Sequence, residues 1–126
     1  MGVRDLSRDV ASLLADARAS IARLSPEDAF AAQRDGAVLV DVRSADEQRE
    51  QAALVRGAEH HPLSTALWRL EPLPRDTRIV LLCRHGYASS FLAAQLAELG
   101  FEHPGDVVGG VEAWIAAGLP VEPVSR

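Results

Sequence analysis

Cys83 is the only cysteine among 126 residues, and it closes the apolar run Ile79-Val80-Leu81-Leu82. The residues after it, Arg84-His85-Gly86-Tyr87-Ala88-Ser89, lead into a stretch with helical character. A thiol at a strand end with a helix beginning six residues later forces the connecting loop to curl back. Gly86 supplies the permissive backbone for that curl. Such loops aim successive N–H groups inward and form an anion-binding nest, to which a helix N-terminus adds about half a positive charge. Arg84 and His85 add side-chain positive charge at the rim. The nucleophile is the thiolate, and an ordinary cysteine is only about 3% ionised at pH 7. Making the thiolate dominant takes roughly 2.7 kcal/mol, which aligned amides plus a helix dipole are suited to supply. A lone cysteine at a strand end is more often inert packing; the Arg-His-Gly run and the helix after it weigh against that here.

Composition narrows the alternatives. The chain is long enough for one domain with an appended helix, and 48% apolar residues suffice for a core. A net charge of −5 argues against nucleic acid or an anionic membrane as the main partner. All 13 cationic residues are arginine, so Schiff-base chemistry and a P-loop lysine are excluded. One cysteine rules out an internal disulfide and any multi-cysteine zinc or iron–sulfur site. No segment reaches the roughly 18 apolar residues of a membrane span. Asp5 and Asp9 interrupt the N-terminus, which does not read as a signal peptide. The expected location is the reducing cytoplasm.

Several elements must position the thiol. Leu6, Val10, Leu13, Leu14, Ala17, Ile21 and Leu24 share one face of a helix predicted over 5–24. That stripe packs on its own domain or docks a partner. Ser25-Pro26-Glu27-Asp28 starts a second helix, with Ser25 as N-cap, running to about Arg34 and stopping near Gly36. Ala37-Val38-Leu39-Val40 suits a strand buried on both faces and ends in Asp41-Val42-Arg43. A helical stretch is predicted over 45–53, a Gly57-Ala58 turn after it, and a short amphipathic helix over 63–70. Residues 78–82 form the clearest strand, Ser89 to Leu99 a largely buried helix closed by Gly100, and Asp106-Val107-Val108 a further strand. Gly109-Gly110 then turns into a helix bearing Trp114 and ended by Gly118. Trp68 and Trp114 are expected in the core.

Apolar strands separated by helices predict an α/β fold with a mainly parallel central sheet and helices on both faces. Ligands in such sheets sit outside the carboxyl ends of the strands. Asp41/Arg43 and Cys83 close two different strands, so topology brings them to one edge. Asp41 and Arg43, two apart on a strand face, either pair, brace the active loop, or offer Arg43 to substrate. His60-His61 lack close partners for a metal site. His103 reads as a surface residue, and Tyr87 as a pocket wall.

The pattern resembles the single-domain rhodanese-like sulfurtransferase family over roughly Leu24 to Val121. Four pieces carry the resemblance: Leu39-Val40-Asp41-Val42-Arg43, Arg56-Gly57-Ala58, the loop Cys83 to Ser89, and Val107-Val108-Gly109-Gly110 with Trp114 and Gly118-Leu119-Pro120-Val121. Arg56 stands where the family has proline, and Ala53-Leu54-Val55 where it often has Gly-His-Ile. The resemblance implies a rhodanese-like domain over 24–122, an N-terminal amphipathic helix over 1–23 and a tail over 123–126. It implies that Cys83 takes sulfane sulfur from thiosulfate or a similar small anion as a persulfide. Cyanide, a thiol or a protein acceptor then removes it, with no metal or organic cofactor. Arg84, His85, Gly86, Tyr87, Ala88 and Ser89 bind substrate in this scheme, and Asp41 and Arg43 support the site. A rhodanese-like regulatory or protein-binding module with little turnover is the alternative. A cysteine phosphatase would need an arginine closing its Cys-x5-Arg loop; Ser89 occupies that position, and residues 85–100 hold no arginine. The sequence leaves the oligomeric state open.

Overall fold

The computed structural model describes residues 8–125. In chain order the elements are α1 (Val10–Ala19), β1 (Ala22–Leu24), α2 (Pro26–Arg34), β2 (Val38–Asp41), α3 (Ala45–Gln51), β3 (Leu54–Val55) and β4 (Glu59–His60). There follow α4 (Ala66–Leu70), β5 (Ile79–Leu82), α5 (Ala88–Glu98), β6 (Pro104–Val107), α6 (Gly110–Ala116) and β7 (Val121–Glu122). Five strands pair in the order β1-β6-β5-β2-β4, every pair parallel. β3 and β7 form a small antiparallel pair apart from this sheet. Among the described residues, no helix is long and apolar enough to cross a membrane.

β5 lies at the centre and is buried along its whole length, as its unbroken apolar run requires. Side chains alternate across a strand, which splits the core in two. Val80 and Leu82 join Leu39, Val107, Val111 and Trp114 beneath α2 and α6. Ile79, Leu81 and Cys83 continue the other face, against Leu70 of α4 and Leu92 and Leu96 of α5. Cys83 thus belongs to the α4/α5 side by register alone.

The first predicted helix is shorter than its apolar pattern. Asp9 caps it, accepting from the Ser12 amide at 2.8 Å, and it ends at Ala19. Residues 22–24 instead form the edge strand β1, paired with Gly105, Asp106 and Val107. Ile21 and Leu24 fit a helical period, yet sheet pairing claims the chain there and overrides it. Val10 and Leu13 are exposed, Ala17 is the helix's buried residue, and Leu6 lies outside the described residues. α2 has the predicted bounds, with Ser25 Oγ accepting from the Asp28 amide at 3.1 Å. α3 stops two residues short of its predicted end because Ala52 turns left-handed, φ +56°. Residues 62–65 make a turn before the short α4.

Trp114 is fully buried, donates from Nε1 to the Pro120 carbonyl at 3.0 Å and meets Phe30 edge to face. Trp68 departs from expectation at 79% exposed. Ala66 and Leu70, four residues apart, take the inward face of α4, and a residue midway between them points the opposite way.

Candidate active site

Cys83 directly follows β5, and the backbone after it wraps round its sulfur. The amides of Gly86 and Ser89 donate to Sγ at 3.1 and 3.4 Å, and Ser89 Oγ lies 3.3 Å from it. The loop's carbonyls point elsewhere. Those of Cys83 and Arg84 accept from the Val111 and Glu112 amides at 2.8 and 3.2 Å, at the start of α6. In a trans peptide the next N–H points opposite the carbonyl, so the Arg84 and His85 amides face away from α6. Carbonyls outward and amides inward make the nest that the spacing predicts.

Two glycines permit this packing. Gly86 sits at φ +88°, and a Cβ there would come within 2.8 Å of the Gly109 nitrogen. A Cβ on Gly110 would lie 2.2 Å from the Cys83 carbonyl oxygen. The Gly-Gly turn is therefore the floor on which the loop rests.

Cys83 is 7% exposed and opens into a cavity of about 560 Å³. Val42, Pro62, Leu63, Tyr87 and Ala88 give it largely apolar walls, and Ser44 and Glu47 bring the start of α3 to its edge. Arg84 and His85 stand at the rim, as their positions suggest, but each already has an acidic partner. Arg84 pairs with Glu50 of α3, and His85 Nδ1 lies 2.6 Å from Glu112 of α6. An incoming anion must compete with Glu50 for Arg84. Arg84→Ala is accordingly expected to raise the KM for an anionic substrate about threefold to tenfold, and Glu50→Gln to lower it. Steady-state kinetics of the two variants check this. Opposite movements of KM support the rim role; an unchanged KM in both removes it.

Asp41 and Arg43 meet as a buried ion pair, Nη2 to Oδ2 at 2.7 Å and Nε to Oδ1 at 3.0 Å. Gln48 donates to the same carboxylate, and Arg43 donates onward to Gln51 Oε1 and the Ala53 carbonyl. Arg43 is fully buried, and its side-chain donors reach neither the cavity nor the Cys83 loop. Of the three alternatives, pairing is the one present: it ties the end of β2 to α3, the wall that carries Ser44, Glu47 and Glu50. His60 Nε2 bonds the Arg43 carbonyl at 2.8 Å while His61 Nε2 bonds Glu59 at 3.0 Å, so the two rings serve separate contacts. His103 is exposed beside Glu102.

Three functional neighbours escape the sequence reading. Asp106 of β6 is fully buried and accepts from Ser89 Oγ at 2.8 Å and Ser90 Oγ at 2.7 Å. Arg23 of β1 bonds it at 3.0 Å. Arg18 of α1 donates to the Gly86 carbonyl at 2.9 Å and to Ser90 Oγ at 3.1 Å. Asp106 carried a usable signal, a carboxylate on a strand feeding the same sheet edge as Asp41. The arginines carried none, because their contacts come from α1 and β1 lying against the loop.

Comparison with known proteins matches residues 25–117 to the family model described as rhodanese-like domain. The thiosulfate sulfurtransferase GlpE of Haemophilus influenzae strain PittEE is 32% identical over 103 residues, which are 82% of this chain and 96% of that protein. GlpE of Actinobacillus succinogenes is 36% identical over 100 residues, 79% of this chain and 88% of the relative. Among solved structures, a Rhodopseudomonas palustris protein of unknown function, described as a possible tyrosine phosphatase, superposes with a TM-score of 0.80 at 25% identity. It covers 97% of this chain and 100% of its own. The polysulfide-sulfur transferase homodimer of Wolinella succinogenes gives 0.74 at 24% identity, over 91% of this chain and 88% of its own, a likeness of fold.

Proposed function

The chain belongs to the rhodanese-like domain family, and from that premise we propose that it is a thiosulfate sulfurtransferase working through a Cys83 persulfide. The observation that carries the reading is the Cys83 sulfur, bonded by the Gly86 and Ser89 amides at the floor of an open cavity. The curated relatives named for thiosulfate transfer support the donor.

The Cys83 thiolate attacks the outer sulfur of thiosulfate. The sulfur–sulfur bond of the donor breaks, and sulfite leaves with the bonding pair. A Cys83 persulfide anion remains inside the loop. A second nucleophile, cyanide or a thiol, attacks the outer sulfur and restores the thiolate, so covalent catalysis divides one transfer into two displacements. No net oxidation or reduction occurs across the cycle with cyanide, and this chain's residues supply every group the steps call for, without a metal or organic cofactor. Inward amides favour the anionic sulfur at each stage. Arg84 and His85 receive the departing sulfite at the rim, while Tyr87 and Ala88 wall the cavity. The reading takes residues 24–122 as the catalytic domain and places the protein in the cytoplasm, where a lone thiol stays reduced.

Incubation with thiosulfate followed by mass spectrometry tests the first half. A gain of one sulfur, about 32 Da, on Cys83 is expected, with thiocyanate released on adding cyanide. Neither adduct nor thiocyanate would move the assignment to a rhodanese-like binding module. A phosphatase reading, which the description of the Rhodopseudomonas palustris neighbour raises, lacks its arginine clamp: position 89 is serine.

A further inference from the structure

The family model begins at residue 25, yet two side chains from before that point reach the back of the Cys83 loop. Arg18 Nη2 and Arg23 Nη2 both donate to the Gly86 carbonyl, at 2.9 and 3.2 Å. Arg18 also bonds Ser90 Oγ at 3.1 Å, and its guanidinium lies 5.6 Å from the centre of the Tyr87 ring. Arg23 continues to Asp106, which in turn takes the hydroxyls of Ser89 and Ser90. Apolar burial is not what makes this attachment specific, since α1 buries Ala17 and leaves Val10 and Leu13 exposed. The hydrogen bonds at its C-terminal end do.

We propose that Arg18 and Arg23 are positioning residues for the reaction at Cys83, holding the Gly86–Tyr87 peptide so that its one N–H, that of Tyr87, faces the cavity into which the sulfur opens. One carbonyl receives two guanidinium donors, a charge-assisted arrangement stronger than a neutral bond. The peptide is planar and trans, so fixing that oxygen on the arginine side turns the Tyr87 N–H to the opposite side, where Tyr87 and Ala88 line the cavity. Drawing electron density toward the oxygen also strengthens the conjugated N–H as a donor. Gly86 itself, with φ +88°, lacks a side chain to hold its orientation. The Cys83–Arg84 and Arg84–His85 peptides are held by α6; the Gly86 carbonyl is held by Ser90 Oγ at 3.3 Å and by the two arginines from outside the family match. The inference rests on the reading of Cys83 as nucleophile.

Arg18→Met is the test variant, because it keeps the aliphatic stem beside Tyr87 and removes the donors. Arg23→Met leaves Asp106 short of its cation and risks misfolding, so the weight falls on Arg18. Three measurements on the full chain are made: the rate of Cys83 alkylation by iodoacetamide at pH 7, the Tyr87 amide resonance in a 15N-labelled sample, and the melting temperature. Expected are alkylation and thiosulfate loading each slowed about threefold to tenfold, less than the loss of a direct oxyanion donor. The Tyr87 amide proton should move upfield while the melting temperature shifts by no more than about 3 °C. Arg18→Lys, which keeps a charged donor but cannot span the Gly86 carbonyl and Ser90 together, should recover part of the rate. Alkylation within twofold of wild type with an unmoved Tyr87 resonance overturns the proposal. So does a lower melting temperature with unchanged alkylation, which marks a purely structural role. Alkylation needs no sulfur donor, so a wild-type protein that fails to load sulfur removes the sulfurtransferase reading and leaves the arginine test readable.

Discussion

Cys83→Ser is expected to reduce sulfur transfer from thiosulfate by at least about a thousandfold while leaving the fold in place. The loss is large because in the proposed mechanism both displacements pass through this one atom, and the chain has no second cysteine to substitute. A serine hydroxyl remains protonated at neutral pH and forms no persulfide. The fold tolerates the change because serine can still accept from the Gly86 and Ser89 amides that now bond Sγ. Cys83→Ala, by contrast, leaves both amides without an acceptor in a buried loop and should cost about 1–3 kcal/mol as well. Thiocyanate release measures the first effect and thermal unfolding the second. Transfer persisting in Cys83→Ser above about a tenth of wild type would remove the cysteine from the mechanism.

Asp41→Ala carries the largest expected effect on stability. It strands the Arg43 guanidinium, which is fully buried and donates three hydrogen bonds to that carboxylate. Breaking one side of a buried pair costs about 3–5 kcal/mol, a large share of the roughly 5–15 kcal/mol that holds a small domain together. For a chain of this size the melting temperature should fall by about 10–20 °C. The same loss loosens α3, whose Ser44 and Glu47 edge the cavity and whose Glu50 meets Arg84. Below the melting transition the activity change should therefore appear mainly in KM rather than kcat. The double variant Asp41→Ala with Arg43→Met removes the stranded charge and should regain part of the stability. A melting temperature within about 3 °C of wild type in the single variant would contradict the role of the pair in tying β2 to α3.

Thiol, loop and strand were legible in the linear chain because their signals are local. An apolar run ending at Cys83, a glycine three residues on and a helix start at residue 88 specify a curl within a few residues, and in the curl present the Gly86 and Ser89 amides meet the sulfur. Ser25-Pro26 and Gly36 bound α2 in the same local way. The failures share the opposite character. Leu24 fits a helical period, but pairing with β6 some eighty residues away decides its conformation. Trp68 looked like core because it is large and apolar; which face of a five-residue helix meets the sheet is set by α4's docking, and Ala66 and Leu70 took that face. Arg43 looked available to substrate until three acceptors from Asp41, Gln51 and Ala53 enclosed it.

By itself the sequence determined the candidate nucleophile, the loop that surrounds it and the parallel sheet edge where Asp41 and Cys83 converge, since backbone preference and side-chain alternation act over neighbouring residues. Only the tertiary structure decided what stands behind and beside that loop: α6 amides on the Cys83 and Arg84 carbonyls, Glu50 on Arg84, and Arg18 and Arg23 on Gly86. Those contacts join residues far apart in the chain. Their partners are fixed by how the elements pack, and a one-dimensional pattern holds no record of that geometry.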